Sequence, residues 1–146
     1  MLRRLCCCLL MMVFLLALPS QAGAAKGVAL VIGNSAYKYT GELPNPRNDA
    51  SDMTAALRKL GFEVISGMDL DKAAMDRTIR EFSTKLSGSA TGLFFYAGHG
   101  LQVDGINYLV PIDAQLATAA ALDFETVRLE LVQRTMERES NTNILF

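Results

Sequence analysis

The sequence predicts an α/β protein in which a mainly parallel sheet carries helices on both faces. Short unbroken apolar runs, typical of strands buried on both faces, alternate along the chain with segments whose apolar residues recur at helical spacing. Strand and helix alternate at lengths that suit right-handed crossovers between parallel strands. Because 51% of the 146 residues are apolar and 20% are charged, the composition fits one globular domain.

The first 25 residues are predicted to be a signal peptide rather than part of this domain. Arg3 and Arg4 precede an apolar run of 14 residues at positions 5–18. This run is shorter than the roughly 20 residues that a membrane-spanning helix needs. Ala22-Gly23-Ala24 supplies the small residues that a signal peptidase accepts. We therefore expect cleavage beside Ala25, export to the periplasm or the cell exterior, and no stable membrane anchor after cleavage. A retained anchor is the alternative.

The three cysteines, Cys6, Cys7 and Cys8, all lie within this predicted signal peptide. A mature chain without cysteine can form neither a disulfide framework nor a thiolate metal site, and it holds no cysteine nucleophile. Loss of the two arginines leaves 12 basic against 15 acidic residues, with no basic block of the kind that binds nucleic acid. No metal or cofactor is predicted, and no nucleic acid partner.

The first half of the domain is predicted to run strand, helix, strand. Residues 28–32 form the first strand. Asn48 or Asp49 can cap the helix that follows, and Gly61 can end it. The apolar residues of this helix recur at helical spacing: Met53, Leu57 and Leu60. Residues 62–65 form the second strand.

The second half begins with a helix from about Asp71 and a third strand at residues 93–97. One stripe of this helix is apolar: Met75, Ile79, Phe82 and Leu86. Asp104-Gly105 between short apolar alternations predicts a hairpin. A third helix is predicted over roughly residues 124–138, and residues 143–146 could begin a fourth strand.

His99 is the single histidine of the chain, and it directly follows the predicted third strand. In open parallel sheets, catalytic groups and ligands collect at the carboxyl ends of the strands. Gly98 and Gly100 allow the backbone to turn sharply on either side. An imidazole titrates near neutral pH and can act as a general acid or base. His99 is therefore a candidate catalytic residue, and a loop histidine bonded to nearby backbone is the alternative.

Four segments carry a resemblance to a known family: KGVALVIGN at residues 26–34, LGFEV at 60–64, LFFYAGHG at 93–100 and NYLVP at 107–111. In this order they resemble the caspase-like cysteine peptidases, a family that includes the metacaspases and their bacterial relatives. The resemblance runs from about Lys26 to the end of the chain. It implies that residues 26–146 are the N-terminal part of a p20-like catalytic domain with a three-layer caspase-like fold, incomplete at its C-terminal side.

The resemblance also implies roles for three residues. His99 would be the general base for a cysteine thiol, and the backbone N–H of Gly100 would be one donor to the oxyanion. Asp49 matches the position of an acid that lines the pocket for the substrate's P1 residue. A buried carboxylate there would favour Arg or Lys over Asp in a peptide or protein substrate. Helix capping by the same Asp49 side chain is the alternative.

The sequence departs from the family pattern at its end, since residues 142–146 resemble the start of the strand that carries the nucleophile. We expect a chain truncated before the catalytic cysteine, inactive by itself, with residues 93–97 or 144–146 near an unprotected sheet edge and with marginal stability. A catalytically inactive binding module with the same fold is the second hypothesis. A nucleotide-binding domain, suggested by Gly33 after the first strand, ranks last because both phosphate-binding glycine motifs are missing.

Overall fold

The computed structural model describes residues 26–146, and the predicted signal peptide lies outside the described residues. The strands in this range are β1 (Val28–Gly33), β2 (Glu63–Met68), β3 (Ser89–Ala97), β4 (Gly100–Val103), β5 (Ile106–Leu109), β6 (Val127–Arg128) and β7 (Ser140–Leu145). The helices are α1 (Pro46–Lys59), α2 (Lys72–Leu86), α3 (Ala121–Glu125) and α4 (Leu129–Glu139). None of these helices is long and apolar enough to cross a bilayer.

The main sheet is parallel throughout and has the strand order β2-β1-β3-β7. Every residue of β1 is buried, as predicted for a strand covered on both faces. Ala29 and Val31 pack on one face against α1, whereas Leu30 and Ile32 pack on the other against α2 and α4. The structure therefore has three layers, and the predicted fold class is confirmed.

Helix α2 follows the sequence prediction closely. The side chain of Asp71 accepts a hydrogen bond from the N–H of Ala74 at 2.7 Å, which satisfies one of the free donors in the first turn. All four residues of the predicted apolar stripe are buried: Met75, Ile79, Phe82 and Leu86. Their burial against β1 and α4 attaches this helix to the sheet.

Helix α1 starts earlier than predicted, at Pro46 rather than after Asn48 or Asp49. Proline suits this first position because its missing N–H would have no partner within the helix. The predicted stop at Gly61 is confirmed, with a left-handed φ of +87°. Leu60 was predicted on the apolar stripe but is 56% exposed, since the helix ends at Lys59 and the chain turns away from the core.

The predicted hairpin is confirmed as β4 and β5, with Asp104 and Gly105 both at positive φ in the turn. The helix predicted over residues 124–138 is wrong in its first part. Residues 121–125 form the short α3, and Val127 and Arg128 then pair with Leu109 and Tyr108 of β5 as the two-residue β6. Strand pairing overrides helical spacing here because Val127 is buried against the core.

The predicted fourth strand is confirmed as β7, which begins at Ser140 and pairs with β3. Residues 93–97 are consequently not at an edge, because β3 lies between β1 and β7. Within the described residues β7 itself borders the sheet, and its end is exposed, with Leu145 at 39% and Phe146 at 66%. Strands β2 and β3 are also longer than predicted, since each includes residues that are not apolar.

Candidate active site

The carboxyl ends of β1, β2 and β3 lie at one edge of the main sheet, because the three strands are parallel and in register. Asn34 follows β1, Asp69 follows β2, and His99 follows β3 two residues after the strand ends. His99 therefore lies at the sheet edge where the sequence predicts it. Ligands and catalytic groups collect at this edge in open parallel sheets.

Both backbone groups of His99 are hydrogen-bonded. Its N–H donates to the hydroxyl oxygen of Tyr37 at 2.7 Å. Its carbonyl oxygen accepts from the hydroxyl of Tyr96 at 2.8 Å and from the N–H of Val110 at 3.0 Å. These partners come from the loop after β1, from β3 itself and from the segment after β5, so three parts of the fold fix the backbone at this histidine.

The two tyrosines also contact each other, with 3.3 Å between their hydroxyl oxygens. Burial raises the pKa of Tyr37, and burial raises the pKa of Tyr96 strongly, so both phenols stay protonated at neutral pH. The ring of Tyr37 also lies against the imidazole of His99, with ring centroids 4.5 Å apart and planes tilted by 54°. Tyr37 thus contacts both the backbone and the side chain of His99.

Gly98 lies directly beside these hydroxyl groups. A Cβ atom at this position would be 2.6 Å from the Tyr37 hydroxyl oxygen and 2.6 Å from that of Tyr96. At Gly100 a Cβ atom would meet only the carbonyl oxygen of Tyr108, at an ordinary 3.5 Å. The fold therefore needs a glycine at position 98, whereas at position 100 space does not require one.

The imidazole of His99 is partly exposed and is held less firmly than the backbone. Its Nε2 lies 3.4 Å from the carbonyl oxygen of Gly41, which is long for a hydrogen bond. Such distances are common in catalytic sites without substrate. In the tautomer with hydrogen on Nε2, the ring donates to Gly41 and the lone pair of Nδ1 is left to accept a proton.

Asn34 joins the loops at this edge. It is fully buried, its side-chain oxygen accepts from the N–H of Leu70 at 2.9 Å, and its side-chain N–H₂ donates to the carbonyl oxygen of Val110 at 3.2 Å. Leu70 follows β2 and Val110 follows β5, so one amide side chain links three connections. Because Val110 also donates to His99, this link supports the histidine indirectly.

Asp69 fixes the loop that contains Tyr37. Its carboxylate accepts hydrogen bonds from the backbone N–H of Ser35 at 2.8 Å and of Ala36 at 3.0 Å. Arg47 pairs with the other carboxylate oxygen at 3.5 Å, with its own side chain 61% exposed. Arg47 lies in the first turn of α1.

Asp49 lies in the first turn of α1 and is exposed. It does not cap the helix, because Asn45 occupies the cap position. The resemblance implies a buried carboxylate at this position, but Asp49 is exposed in the structure. The start of α1 packs closely against the end of β1, where a Cβ atom at Gly33 would come within 2.4 Å of the Pro46 carbonyl oxygen. Asp49 therefore lies on a helix that begins at the same sheet edge as His99.

Four residues of this site were not predicted from the sequence: Tyr37, Tyr96, Asn34 and Asp69. Asn34 and Tyr96 lie in the segments 26–34 and 93–100 that resemble the family. A single sequence, however, does not indicate that their side chains form hydrogen bonds with other loops. Within residues 26–146, the structure contains no group of three or more His, Cys, Asp or Glu side chains that could hold a metal ion.

Comparison with curated proteins finds human Mucosa-associated lymphoid tissue lymphoma translocation protein 1, which is 40% identical over 87 residues. The match covers 60% of this chain and 11% of the human protein. Its Mus musculus homologue is also 40% identical over 87 residues, with 60% of this chain and 10% of the mouse protein covered. The matched part of this chain thus spans about a tenth of the length of these curated relatives.

Solved structures show the same fold. The Drosophila initiator caspase Dronc matches with a TM-score of 0.62 at 11% identity, over 82% of this chain and 46% of that chain. A Geobacter sulfurreducens protein matches with a TM-score of 0.61 at 20% identity, over 82% of this chain and 47% of that one. Each match covers just under half of the solved chain.

The architecture of these neighbours agrees with the three layers described above, so the fold is caspase-like. The family model for the Caspase domain matches residues 26–145, which is nearly all of the described chain. This chain belongs to the caspase-domain family of peptidases.

Proposed function

We propose that this chain carries the histidine half of a cysteine endopeptidase site, with His99 as the general base of a Cys–His dyad. The observation that carries this proposal is the way His99 is held. Both of its backbone groups are hydrogen-bonded at the carboxyl edge of the sheet, while its imidazole stays partly exposed to a reactant. A solvated loop histidine would need no such support.

The strand register indicates where the thiol would lie. Leu145 of β7 pairs with Phe94 of β3, and the two strands are parallel. A continuation of β7 would therefore place its third residue after Leu145 opposite Ala97 and its fifth opposite His99. Neighbouring strands lie about 4.8 Å apart, so a cysteine near these positions would reach the imidazole. The proposal assigns the nucleophile to sequence that follows β7.

The chemistry would proceed in two steps. The thiol proton passes to Nδ1 of His99, and the thiolate sulfur attacks the carbonyl carbon of the scissile peptide. As the new C–S bond forms, the carbonyl π electrons move to oxygen, and the N–H of Gly100 would donate to that oxyanion. Collapse breaks the C–N bond, and the imidazolium returns its proton to the leaving amine. Water then gives a proton to His99 and attacks the thioester carbonyl carbon. The C–S bond breaks, the carboxylic acid product leaves, and the thiolate recovers the proton from the imidazolium.

The substrate would be a peptide or protein, and Asp49 would contribute to the choice of its P1 residue. An exposed carboxylate at the start of α1 favours a cationic Arg or Lys over Asp, although a solvated ion pair adds little affinity. No metal or cofactor enters this mechanism. We further propose an exported address for the protein, which depends on residues 1–25 acting as a signal peptide.

Positioned cysteines test the dyad. The chain would be extended after Phe146 by a designed strand that carries one cysteine three, four or five places after Leu145, each made with His99 and with His99→Ala. Because side chains alternate between the faces of a strand, we expect fast alkylation at positions of one parity only. We also expect that rate to fall with His99→Ala. Equal rates at all positions, with and without the histidine, would contradict the proposal.

A catalytically inactive peptide-binding module is the alternative, and one observation favours it: residues 9–146 contain no cysteine. The two functions share the same His99 geometry, so the positioned cysteines do not separate them. The coding DNA beyond Phe146 does. An Asp-x-Cys motif within about ten residues, the length that completes a typical strand, supports the peptidase. Its absence in every frame supports the binding module.

A further inference from the structure

We propose that Tyr37 and Tyr96 act as a pair of positioning residues that hold His99 in its working orientation. The pair is linked to His99 at both ends: Tyr37 accepts from its N–H, and Tyr96 donates to its carbonyl oxygen. The catalytic consequence of this positioning rests on the proposed function above. The positioning itself is a property of the fold and can be measured without any thiol.

The hydrogen bonds that link His99, Tyr37 and Tyr96 allow only one assignment of donors and acceptors. Carbonyl oxygens only accept, so the Tyr96 hydroxyl must donate its single proton to His99 at 2.8 Å or to Val110 at 3.0 Å. The Tyr96 oxygen is then the acceptor for the Tyr37 hydroxyl, 3.3 Å away. Tyr37 in turn accepts from the N–H of His99. Each hydroxyl therefore donates once and accepts once.

Burial makes these contacts effective. Tyr37 is only 8% exposed, so water competes poorly for its hydroxyl. Removal of one partner from such a closed network leaves a buried donor or acceptor unpaired, which costs more than the mean value of a hydrogen bond. The hydroxyls also lie close to Gly98, because a Cβ atom at that position would be only 2.6 Å from each hydroxyl oxygen.

The side chain of His99 depends on this pair because it has little other support. Its hydrogen bond to Gly41 is long, at 3.4 Å. The ring of Tyr37, 4.5 Å away between centroids, is the aromatic group that limits how the imidazole can rotate. Since a carbonyl oxygen only accepts, the contact with Gly41 favours hydrogen on Nε2. A loosened backbone at His99 would free the ring and weaken that contact.

The single histidine of this chain makes the test direct, because NMR spectra contain one imidazole signal set. Tyr37→Phe keeps the aromatic ring and removes the hydroxyl. In the full chain we expect amide exchange at His99 to accelerate at least about tenfold, the factor that corresponds to a lost hydrogen bond of typical strength. Exchange at Phe82, in the core of α2, reports the global loss of stability and should accelerate less than exchange at His99. The ¹⁵N shifts of the imidazole should move towards a mixture of the two tautomers.

Tyr39→Phe is the matched control, since this nearby tyrosine is 60% exposed, and it should change neither readout. Tyr96→Phe is the second variant. It removes the hydroxyl that donates to the His99 carbonyl oxygen, and we expect His99 exchange and the tautomer balance to change in the same direction. It tests the inference if Tyr37→Phe does not fold. Unchanged His99 exchange and tautomer balance in a folded Tyr37→Phe or Tyr96→Phe protein would overturn the inference. These readouts need no cysteine, so their failure is distinguishable from failure of the proposed dyad.

Discussion

The N–H of His99 donates a hydrogen bond to the hydroxyl oxygen of Tyr37, 2.7 Å away and 62 positions distant in the sequence. This contact joins the loop after β1 to the loop after β3, at the edge of the sheet where a reacting group would be expected. It explains why a histidine between two glycines, which could have been mobile, is held in one place.

Gly98 and Gly100 differ in what they tolerate. A methyl group at Gly98 would lie 2.6 Å from both tyrosine hydroxyls, so we expect Gly98→Ala to lower the free energy of unfolding by about 1–3 kcal/mol, as other overpacked sites do. At Gly100 the nearest atom to an added methyl group would be 3.5 Å away, so Gly100→Ala should change the free energy of unfolding by less than about 1 kcal/mol. Urea denaturation of both variants measures the difference. Equal losses would show that the hydroxyls are not rigidly placed.

Asn34 and Ser35 are adjacent and both buried, but only the Asn34 side chain is hydrogen-bonded within the described residues. Asn34→Ala leaves the N–H of Leu70 unpaired, and we expect it to lower the free energy of unfolding by about 1–3 kcal/mol. Ser35→Ala removes a hydroxyl without a partner and should cost less than about 0.5 kcal/mol. Thermal denaturation checks the pair, and a larger loss for Ser35→Ala would contradict this description of the loop.

Alkaline pH should destabilise the protein through its buried tyrosines. Burial raises the pKa of Tyr96 above that of an unfolded tyrosine, which is about 10. The neutral phenol is therefore favoured in the folded state. Its contribution to stability is complete below about pH 10 and declines as pH rises through that value towards the folded pKa. Tyr96→Phe should be less stable at pH 8 but lose less stability between pH 8 and pH 11.

Urea midpoints measured across that pH range test this expectation. The exposed Tyr39 supplies the control, because Tyr39→Phe should keep the wild-type slope. Comparison between variants also cancels the titration of lysines, which occurs in the same range. A Tyr96→Phe protein with the wild-type pH dependence would show that this phenol is not protected by burial.

Asp49 and Asp52 are both exposed on α1, one turn apart. If Asp49 lines a P1 pocket, Asp49→Asn should weaken binding of an arginine-containing peptide by up to about fivefold, the scale of a solvated ion pair. Binding of the same peptide with Asp in place of Arg should not weaken. Asp52→Asn should have no effect on either peptide. Calorimetric titration distinguishes these outcomes, and equal effects of the two substitutions would remove Asp49 from the site.

The sequence was a good guide where a pattern is local. The apolar stripe of α2 and the Asp104-Gly105 turn are set by neighbours in the chain, and both were predicted correctly. The error over residues 124–138 has a long-range cause, because Val127 pairs with Leu109 of β5. The predicted burial of Leu60 was wrong because the helix ends at Lys59, one residue before it.

In the candidate site, too, the residue set by local sequence was predicted and the residues set by long-range contacts were not. The place of His99 follows from the strand that precedes it, and this was predictable from the order of apolar runs. Its partners Tyr37 and Tyr96 were not predictable, because a hydrogen bond between distant loops leaves no periodic signal in one chain. The sequence therefore identified the candidate base, and the structure identified what holds it.

The acidity of a positioned thiol is the most direct measure of the central claim that His99 serves a cysteine. In the extended chain, the cysteine with the fastest alkylation would be followed by its alkylation rate from pH 5 to pH 10, with His99 and with His99→Ala. Beside the imidazole we expect the thiol pKa to fall from about 8.5 to about 7 or below, and to return to about 8.5 in His99→Ala. A thiol that titrates near 8.5 in both proteins would contradict the assignment of His99 as the base of a Cys–His dyad.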